Sequence, residues 1–425
     1  MTEGRADGRL TVALFIHTLQ LGGAEGQIVE LLRALDRRRF APLLFCFYAE
    51  GHHLAALRDI GIEPEVIPPP RSMGRPEALV TIGRLAAACR RRGVQLLHPQ
   101  DFYTNLVALP AARLAGTRCL VSRLDLAHWY GGVRRAAVAW TSRGADRVWV
   151  NAEAVRDLVV HEDRVPAERV TLLRNGIDLS RFDSAAREGS AEAIELTGGG
   201  LVPCVVNVAN MNHAVKGQVD LLDAAERVRR ELPRVRFLLV GDGPLRKDLE
   251  RRSRELGLEG SVTFASRRTD VPAILARSSL AVSASHAEGL SNAVIEAMAA
   301  RLPLVATAVG GNVELVRDGV TGLLVPPRSP AALAGRILEL LRQPGRAREL
   351  GARARRFVEA ELPLDRMVRG FERLYEGMAA PGDGQQLPSA RAQRPRLAFA
   401  GCRRRSEKSA SASAPASKES EPAPV

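Results

Sequence analysis

Cysteine is scarce in this chain of 425 residues and shows none of the spacings that carry chemistry. The number of cysteines is odd, and no two of them stand close enough in the sequence to form a metal-binding or redox pair. We therefore expect no thiol-based site, and this cysteine usage is typical of a reducing cytoplasm. The five cysteines are Cys46, Cys89, Cys119, Cys204 and Cys402.

Long apolar runs are also missing. The first apolar stretch, from Leu10 to Ile16, is far shorter than the roughly 20 residues that cross a bilayer as a helix. The residues before it, Met1 to Asp7, do not have the charged and apolar regions of a signal peptide. We therefore expect a cytoplasmic protein.

Lysine occurs only at positions 216, 247, 408 and 418, although the formal net charge is +13. Arginine therefore carries almost all of the positive charge. This bias is typical of a GC-rich genome that favours arginine codons, but it could also reflect attraction to an anionic surface, such as the inner face of a membrane. We do not expect a nucleic-acid partner, because the sequence contains no recognition module and no basic platform interleaved with aromatic residues.

The length and the 46% hydrophobic content suffice for two cores, and an aromatic content of 4% predicts aliphatic packing. Short apolar strands alternate with helical patterns, which predicts an α/β protein with parallel sheets. We expect one domain over residues 1–178 and another over 201–361. Residues 179–200 are polar and end in glycines, so they are predicted to be a flexible linker. An amphipathic helix spans 362–378, and the tail 379–425 is predicted to be disordered.

One segment of the second domain has the features of a ligand site. Leu280–Ser283 is a short apolar strand, a loop with Glu288 follows, and a helix starts after Ser291. Ligands of parallel sheets lie at the carboxyl ends of the strands, and free N–H groups at a helix start bind anions such as a diphosphate. Glu288 and Glu296 can face the same crevice. Carboxylates repel phosphate, so we expect them to bind the hydroxyl groups of a sugar and a ribose. An ordinary exposed helix with two acidic residues is the alternative.

Three stretches, Glu288–Ala299, Pro303–Thr307 and Gly310–Glu314, closely resemble the donor-site segment of retaining GT-B glycosyltransferases of family four. The resemblance extends more loosely from Leu10 to Met378. It implies an α/β fold of the GT-B type, in which two Rossmann-like parallel-sheet domains face a central cleft. It also implies that the C-terminal helix crosses back onto the first domain.

The resemblance implies a donor site built from both domains. In the family, the glycine pair Gly22 and Gly23 and the acidic residue at Glu25 lie beneath the donor diphosphate and sugar. Lys216 has a compact ammonium that suits a phosphate, and the family places a lysine there on the diphosphate. Asn210 stands where the family carries an arginine, so the diphosphate would meet one cation fewer. The expected donor-binding residues are Gly22, Gly23, Asn210, Lys216, Gly241, Arg267, Glu288, Gly289, Leu290, Ser291, Asn292 and Glu296.

A run of polar and aromatic residues, His98–Asn105, follows a strand of the first domain. Its position at the carboxyl end of the strand predicts either a site or the capping of the next helix. The family often carries a histidine at the position of Gln100, which puts a histidine acid–base role here in doubt. We predict catalytic roles for Gln100, Asp101, Lys216 and Glu288. The expected acceptor-side residues are His98, Tyr103, Asn105, Asp125 and His128.

The chain contains no Asp-x-Asp metal pair and no acid pair placed as hydrolases need. We therefore expect neither a metal nor a cofactor, and phosphate charge would be met by Lys216, arginines and helix N-termini. The resemblance implies that a sugar passes from a nucleotide-diphosphate donor to an acceptor hydroxyl with retention. The acceptor would be a sugar, a lipid-linked sugar or a small molecule. The family role would be the synthesis of cell-surface polysaccharides, glycolipids or glycoconjugates.

Four alternatives to a transferase are compatible with parts of the sequence. A catalytically inactive scaffold of the same fold is suggested by Gln100 and Asn210. A sugar-nucleotide epimerase or a phosphorylase could share the architecture, although a phosphorylase needs a pyridoxal-phosphate lysine and lysines are few. A dinucleotide-dependent dehydrogenase is a weaker alternative, because no complete glycine fingerprint with its downstream acid is present.

Overall fold

The computed structural model describes residues 8–73, 75–126, 130–188, 190–198 and 202–380. Two parallel sheets organise them, as expected from the alternation of strands and helices. The first is seven-stranded, in the order β3-β2-β1-β4-β5-β6-β7. Its strands are β1 (Leu10–Ile16), β2 (Phe40–Cys46), β3 (Glu65–Val66), β4 (Leu96–Pro99), β5 (Arg118–Arg123), β6 (Arg147–Val150) and β7 (Val170–Leu172).

The second sheet is six-stranded, in the order β10-β9-β8-β11-β12-β13. Its strands are β8 (Cys204–Val208), β9 (Arg236–Val240), β10 (Val262–Ala265), β11 (Leu280–Ser283), β12 (Leu304–Thr307) and β13 (Leu323–Val325). Helices connect successive strands and cover the sheets, because parallel neighbours require crossover connections. The strand predicted over Leu280–Ser283 is confirmed with the same bounds, and the first apolar stretch, Leu10–Ile16, forms β1.

Helices α1–α8 accompany the first sheet and the connection out of it, and α9–α16 follow the start of the second. Their bounds are α1 (Gly23–Ala34), α2 (His53–Asp59), α3 (Glu77–Arg91), α4 (Phe102–Ala115), α5 (Gly132–Gly144), α6 (Glu153–His161), α7 (Leu179–Glu188), α8 (Ala191–Thr197), α9 (Gln218–Glu231), α10 (Arg246–Glu255), α11 (Val271–Arg277), α12 (Asn292–Ala299), α13 (Asn312–Leu315), α14 (Pro330–Arg342), α15 (Pro344–Glu361) and α16 (Leu364–Ala379).

Both sheets reverse their strand order at one place, between β1 and β4 in the first and between β8 and β11 in the second. At such a switch point the connecting helices leave on opposite faces of the sheet, so a crevice opens at the carboxyl ends of the two strands. The residues that follow β1, β4, β8 and β11 are therefore the ones that the topology offers to a ligand.

The last helix, α16, crosses back onto the first domain, as expected. Its apolar face is buried against α1, β1 and β4, with Phe371 and Tyr375 almost fully enclosed. Glu372 reinforces the contact, because its carboxylate accepts hydrogen bonds from the Arg39 guanidinium at 3.0 Å and from the Asp36 backbone N–H at 3.1 Å. The C-terminal helix thus belongs to the core of the first domain in space.

The prediction of a flexible linker over residues 179–200 is wrong for the residues described there, which form α7 and α8. Three contacts hold these helices. Phe182 is buried, Asp183 forms an ion pair at 2.8 Å with the buried Arg355 of α15, and the Ser190 hydroxyl caps α8 by accepting from the Ala193 N–H. The polar composition of this segment indicated a linker. The sequence did not reveal its order, because Arg355, the partner of Asp183, lies more than 170 positions later in the chain.

Within the described ranges, no helix has both the length and the apolar character that crossing a bilayer requires. The tail that is predicted to be disordered lies, from residue 381 onward, outside the described residues. His128 also lies outside them. The domain boundaries remain a prediction.

Candidate functional site

Lys216 is placed by a short turn after β8. Residues Ala214–Lys216 form one turn of 3-10 helix, and Gly217 follows with φ of +65°. A Cβ atom at Gly217 would lie 2.0 Å from the carbonyl oxygen of Ala284, so only glycine allows this turn to lie directly on the exit of β11. The topology thereby brings Lys216 to the loop that carries Glu288.

The ammonium of Lys216 lies 2.7 Å from Oε1 of Glu288, and the Ser285 hydroxyl donates to the same oxygen at 2.7 Å. The Glu288 side chain is only 11% exposed, whereas Lys216 is 32% exposed. Two predicted catalytic residues therefore form one ion pair at the switch point of the second sheet. The carboxylate neutralises the ammonium, so an arriving phosphate would share this cation with Glu288.

The loop before α12 packs tightly against the first domain. A Cβ atom at Gly289 would lie 2.0 Å from the carbonyl oxygen of Leu124, and Asn292 accepts a hydrogen bond at 2.8 Å from the amide of Asn175. A Cβ atom at Gly23 would lie 2.5 Å from the Asn292 amide nitrogen. Glycines 23 and 289 therefore allow the two domains to approach each other directly across the cleft.

Leu290 and Ser291, both predicted donor contacts, have buried side chains. The Ser291 hydroxyl makes no capping bond to α12 within the described part of the chain. Leu290 can therefore offer a ligand little beyond its backbone groups, whereas the Ser291 hydroxyl is not used in capping. The predicted helix start itself is confirmed, since α12 begins at Asn292.

Glu296 lies in the second turn of α12, and its side chain is half-buried. Burial raises the pKa of Glu296 to about 7, and the positive charge of Arg181 only partly opposes that rise. No hydrogen bond to this carboxylate comes from any residue that the structure describes. A half-buried carboxylate that receives no hydrogen bond from the protein has free acceptor capacity, so Glu296 can bind hydroxyl groups.

Gly22 follows β1 and directly precedes α1. The other predicted donor residues follow β8, β9 and β10. Asn210 uses its carbonyl oxygen to accept from Gln218 at 3.1 Å, and Gly241 directly follows β9. Arg267 reaches across the cleft and donates to Oε1 of Gln20 at 3.3 Å. Its Nε is buried and has no partner among the described residues. Arg267 thus brings a charge with unused hydrogen-bonding capacity into the cleft.

Asp101 follows β4 and begins α4, as the capping alternative predicted. Its Oδ1 accepts from the backbone N–H groups of Tyr103 and Thr104, but Oδ2 is buried and unpaired within the described ranges. Burial raises the pKa of Asp101, against the opposing hydrogen bond from Thr104. Burial also raises the pKa of Glu25, and the negative charge of Asp101 adds to that rise. The two carboxylates therefore share one low-dielectric region of the cleft.

Sequence reasoning did not single out two residues of this cleft, His17 and Gln20. Both follow β1, the strand at the switch point of the first sheet, and the carboxyl end of that strand was the available signal. Glu25, the acid that the resemblance implies beneath the donor, follows the same strand.

The prediction that His98 lines the acceptor side is wrong, because the residue is fully buried beneath α16. Its Nδ1 lies 2.8 Å from the Tyr375 hydroxyl and its Nε2 3.0 Å from Ser122 Oγ. Since Ser122 donates its own proton to the Pro99 carbonyl, Nε2 of His98 must donate and Nδ1 must accept. Burial lowers the pKa of His98 to about 3, so this histidine is a neutral structural link.

Gln100 and Asn105, predicted as a catalytic and an acceptor-side residue, are also buried. The Gln100 amide donates to the His98 carbonyl at 2.9 Å, and the Asn105 amide donates to the Ser122 carbonyl at 2.9 Å. Asn105 therefore ties α4 to β5, and Gln100 bonds back onto β4, while Oδ1 of Asn105 is buried and has no partner among the described residues. The polar run 98–105 is therefore mostly structural, and Asp101 and Tyr103 are its members that reach a ligand space.

Tyr103 is 45% exposed at the start of α4. Asp125 follows β5 and accepts from the Arg123 guanidinium at 3.2 Å and from the Tyr130 hydroxyl at 3.3 Å. The position of His128 relative to them lies outside the described residues. The remaining acceptor-side prediction thus rests on Tyr103 and Asp125.

Comparison with known families gives two matches along the chain. Residues 21–181 match the family described as Glycosyltransferase Family 4, and residues 202–343 match the family described as Glycosyl transferases group 1. The first match contains the glycine pair and Asp101, and the second contains Lys216, Glu288 and Glu296. Each of the two sheets is therefore covered, in its larger part, by one match.

Two curated relatives are similar over about half of the chain. The D-inositol 3-phosphate glycosyltransferase of Salinispora arenicola is 33% identical over 254 residues, 56% of this chain and 56% of the relative. The alpha-D-kanosaminyltransferase of Streptomyces kanamyceticus is 32% identical over 211 residues, 48% of this chain and 54% of the relative. The chain thus spans only about half the length of these curated relatives.

Two solved structures share the fold. Anabaena Alr3699/HepE in complex with UDP-glucose superimposes with a TM-score of 0.77 at 22% identity, over 87% of this chain and 100% of the other. Sucrose-phosphate synthase from Thermosynechococcus elongatus gives 0.72 at 22% identity, over 87% of this chain and 99% of the other. At this identity the likeness establishes the fold alone: two Rossmann-like domains of the GT-B type.

Proposed function

Since the chain belongs to the group 1 and family 4 glycosyltransferases, we propose that it transfers a sugar from a nucleotide-diphosphate donor to an acceptor hydroxyl with retention. The observation that carries the proposal is the ion pair of Lys216 and Glu288 at the switch point of the second sheet. It supports the proposal because an ammonium that suits a diphosphate lies next to a carboxylate that suits sugar hydroxyls. The solved neighbour that holds UDP-glucose supports a donor of this class.

The transfer needs few catalytic side chains. The acceptor oxygen bonds to the anomeric carbon on the face from which the diphosphate departs, and the bond between that carbon and the diphosphate breaks. The proton of the acceptor hydroxyl passes to the departing diphosphate. Lys216 stabilises the charge that grows on the leaving group, while Glu288 orients the sugar. Glu296 accepts hydrogen bonds from the ribose.

We further propose a cytoplasmic role in the synthesis of cell-surface polysaccharides, glycolipids or glycoconjugates. The acceptor is then a sugar, a lipid-linked sugar or a small molecule. The arginine-rich composition, with a net charge of +13, supports a peripheral contact with the anionic inner face of the membrane when the acceptor is lipid-linked.

The decisive experiment for this function is a thermal-shift screen against nucleotide sugars, followed by an assay for release of the nucleoside diphosphate. A donor that binds only the folded state raises the melting temperature by mass action. The assay then uses that donor with candidate acceptors and with water. Absence of stabilisation by every nucleotide sugar would refute the proposal.

A first prediction concerns the affinity for the donor as a function of pH. The ribose hydroxyls donate to Glu296, so binding favours its ionised form. Because burial raises the pKa of Glu296 to about 7, the affinity should increase roughly tenfold between pH 6 and pH 8, where the carboxyl goes from mostly protonated to mostly ionised. Calorimetry with an intact nucleotide sugar measures this, because its doubly esterified diphosphate does not titrate in that range.

Glu296→Gln is the matched control for this pH dependence. The substitution keeps the shape and removes the titration, so the affinity should become nearly independent of pH and stay at or below the value of the wild type at pH 6. An equal pH dependence in Glu296→Gln would assign the titrating group to another residue.

A second prediction concerns metal. Because the sequence contains no Asp-x-Asp pair, we expect turnover in excess EDTA to stay within about twofold of the untreated value, with the diphosphate neutralised by protein cations and helix dipoles. Initial rates with EDTA, with Mg²⁺ and with Mn²⁺ give the comparison. A strict requirement for either ion would show that the diphosphate is neutralised in another way.

A further inference from the structure

Aromatic side chains are rare in this protein, yet some of them lie together at one place in the cleft. The chain has only four tyrosines, and Tyr48, Tyr103 and Tyr130 lie near the carboxyl ends of strands of the first sheet. Tyr48 follows β2, His17 follows β1, and Tyr103 follows β4. These three strands are neighbours in the sheet, so the three side chains lie side by side.

His17 stands at the centre of this group. Its ring centroid lies 5.5 Å from that of Tyr48 and 5.7 Å from that of Tyr103. The interplanar angles of these two ring pairs are 54° and 49°. Tyr48 is 44% exposed and Tyr103 is 45% exposed. We call Tyr48, His17 and Tyr103 the aromatic shelf. Large apolar ring faces held open to solvent beside a switch point are available to a ligand.

Two polar atoms beside the shelf lack a partner in the described part of the chain. They are Nδ1 of His17 and Oδ2 of Asp101, and both are buried. The two residues are neighbours, because a positive charge on His17 lowers the pKa of Asp101. Buried polar groups are nearly always hydrogen-bonded. The ring nitrogen of His17 can donate or accept, and the carboxylate oxygen of Asp101 accepts, so the two unpaired atoms together indicate a ligand that supplies hydroxyl groups.

We propose that the aromatic shelf binds the acceptor and that the acceptor presents a sugar ring. One face of a pyranose is made of C–H groups and stacks on aromatic rings, while its edge carries hydroxyls that can reach Asp101 Oδ2 and His17 Nδ1. An aliphatic chain would cover the rings but leave both polar atoms unpaired. This inference rests on the proposed function and narrows its acceptor to a carbohydrate, either free or linked to a lipid.

Ligand-observed saturation-transfer NMR on the full chain tests the shelf. The probes are methyl α-D-glucopyranoside, methyl α-D-mannopyranoside and methyl N-acetyl-α-D-glucosaminide, with 1-hexanol as the aliphatic comparison. At least one glycoside should receive saturation on its ring C–H protons. Tyr103→Ala should weaken its binding about tenfold, and Tyr103→Phe should stay within about threefold, because the phenyl face is retained.

Trp140→Ala is the matched control, since Trp140 is an aromatic residue of α5 that is 52% exposed and lies outside the shelf. It should not alter the glycoside signal. Tyr48→Ala should weaken binding in the same direction as Tyr103→Ala, and calorimetry with UDP-glucose, GDP-mannose and ADP-glucose should give the same donor affinity for both as for the wild type.

The outcomes separate this inference from the function on which it rests. Donor binding without any glycoside signal, a signal that survives Tyr103→Ala, or a signal from hexanol alone would overturn the sugar shelf. Glycoside binding that is lost in Tyr103→Ala would support the shelf even if no nucleotide sugar bound, and in that case the transferase proposal would fail instead.

Discussion

Replacing Lys216 by alanine should reduce turnover by on the order of 10²–10³ while the protein stays folded, because one preorganised cation facing a leaving group contributes about that much. The leaving diphosphate gains charge as the sugar bond breaks, so Lys216 stabilises the transition state more than the ground state. Asn210, at the position where the resemblance implies an arginine, supplies no charge. The loss at Lys216 should therefore be near the upper end of this range.

Two variants control this experiment. Lys216→Arg should recover only part of the turnover, because a planar guanidinium cannot occupy the same position between Glu288 and a phosphate. Lys247→Ala removes the other lysine of the described chain, which lies on α10, and should leave turnover unchanged. The assay is release of nucleoside diphosphate at saturating donor and acceptor, with the melting temperature as the check on folding.

Two results would change the interpretation. If Lys216→Ala turns over like the wild type, the diphosphate does not lie beside the ion pair with Glu288. If the wild type binds a donor but transfers its sugar neither to any acceptor nor to water, the non-catalytic scaffold becomes the better description.

Removing α16 should abolish the stable fold. A chain that ends after Glu361 lacks the buried side chains of Met367, Phe371 and Tyr375. Truncating one large buried side chain in a core typically costs about 2–5 kcal/mol, and the loss of three such anchors approaches the roughly 5–15 kcal/mol that stabilises a whole domain. The truncation also leaves His98 without the Tyr375 hydroxyl.

A chain that ends after Ala380 is the matched comparison for the first truncation. Because the residues beyond it lack an apolar periodicity, its melting temperature should equal that of the full chain. Tyr375→Phe isolates the buried hydrogen bond to His98 and should cost about 1–3 kcal/mol in free energy of unfolding. Thermal and urea unfolding measure all three variants. If the chain that ends after Ala380 unfolds, part of the core lies beyond residue 380.

The sequence predicted the second sheet's part of the site well. Strand β11, the loop with Glu288 and the start of α12 follow one another along the chain, so local periodicity and capping residues were sufficient. The ion pair between Lys216 and Glu288 was not predicted as a contact, because it joins residues 72 positions apart. The sequence nevertheless indicated both residues as members of one site.

The first sheet was predicted less well at its site. The run His98–Asn105 has the composition of a ligand site, but a residue 277 positions away, Tyr375, covers His98 and makes it part of the core. Polar side chains that satisfy each other in a buried network are indistinguishable, in one sequence, from polar side chains that await a ligand. The same limit applies to Asp183, whose partner Arg355 turned a predicted linker into a helix.

The sequence by itself determined the alternation of strands and helices, the two-domain α/β class and the segment around Glu288, because each depends on residues within a few turns of one another. The tertiary structure decided which polar residues are free. The pairing order of the strands brought Tyr48, His17 and Asp101 together, and the return of α16 removed His98 from the cleft. Local periodicity carries no information on either, because both arise from contacts between segments far apart in the chain.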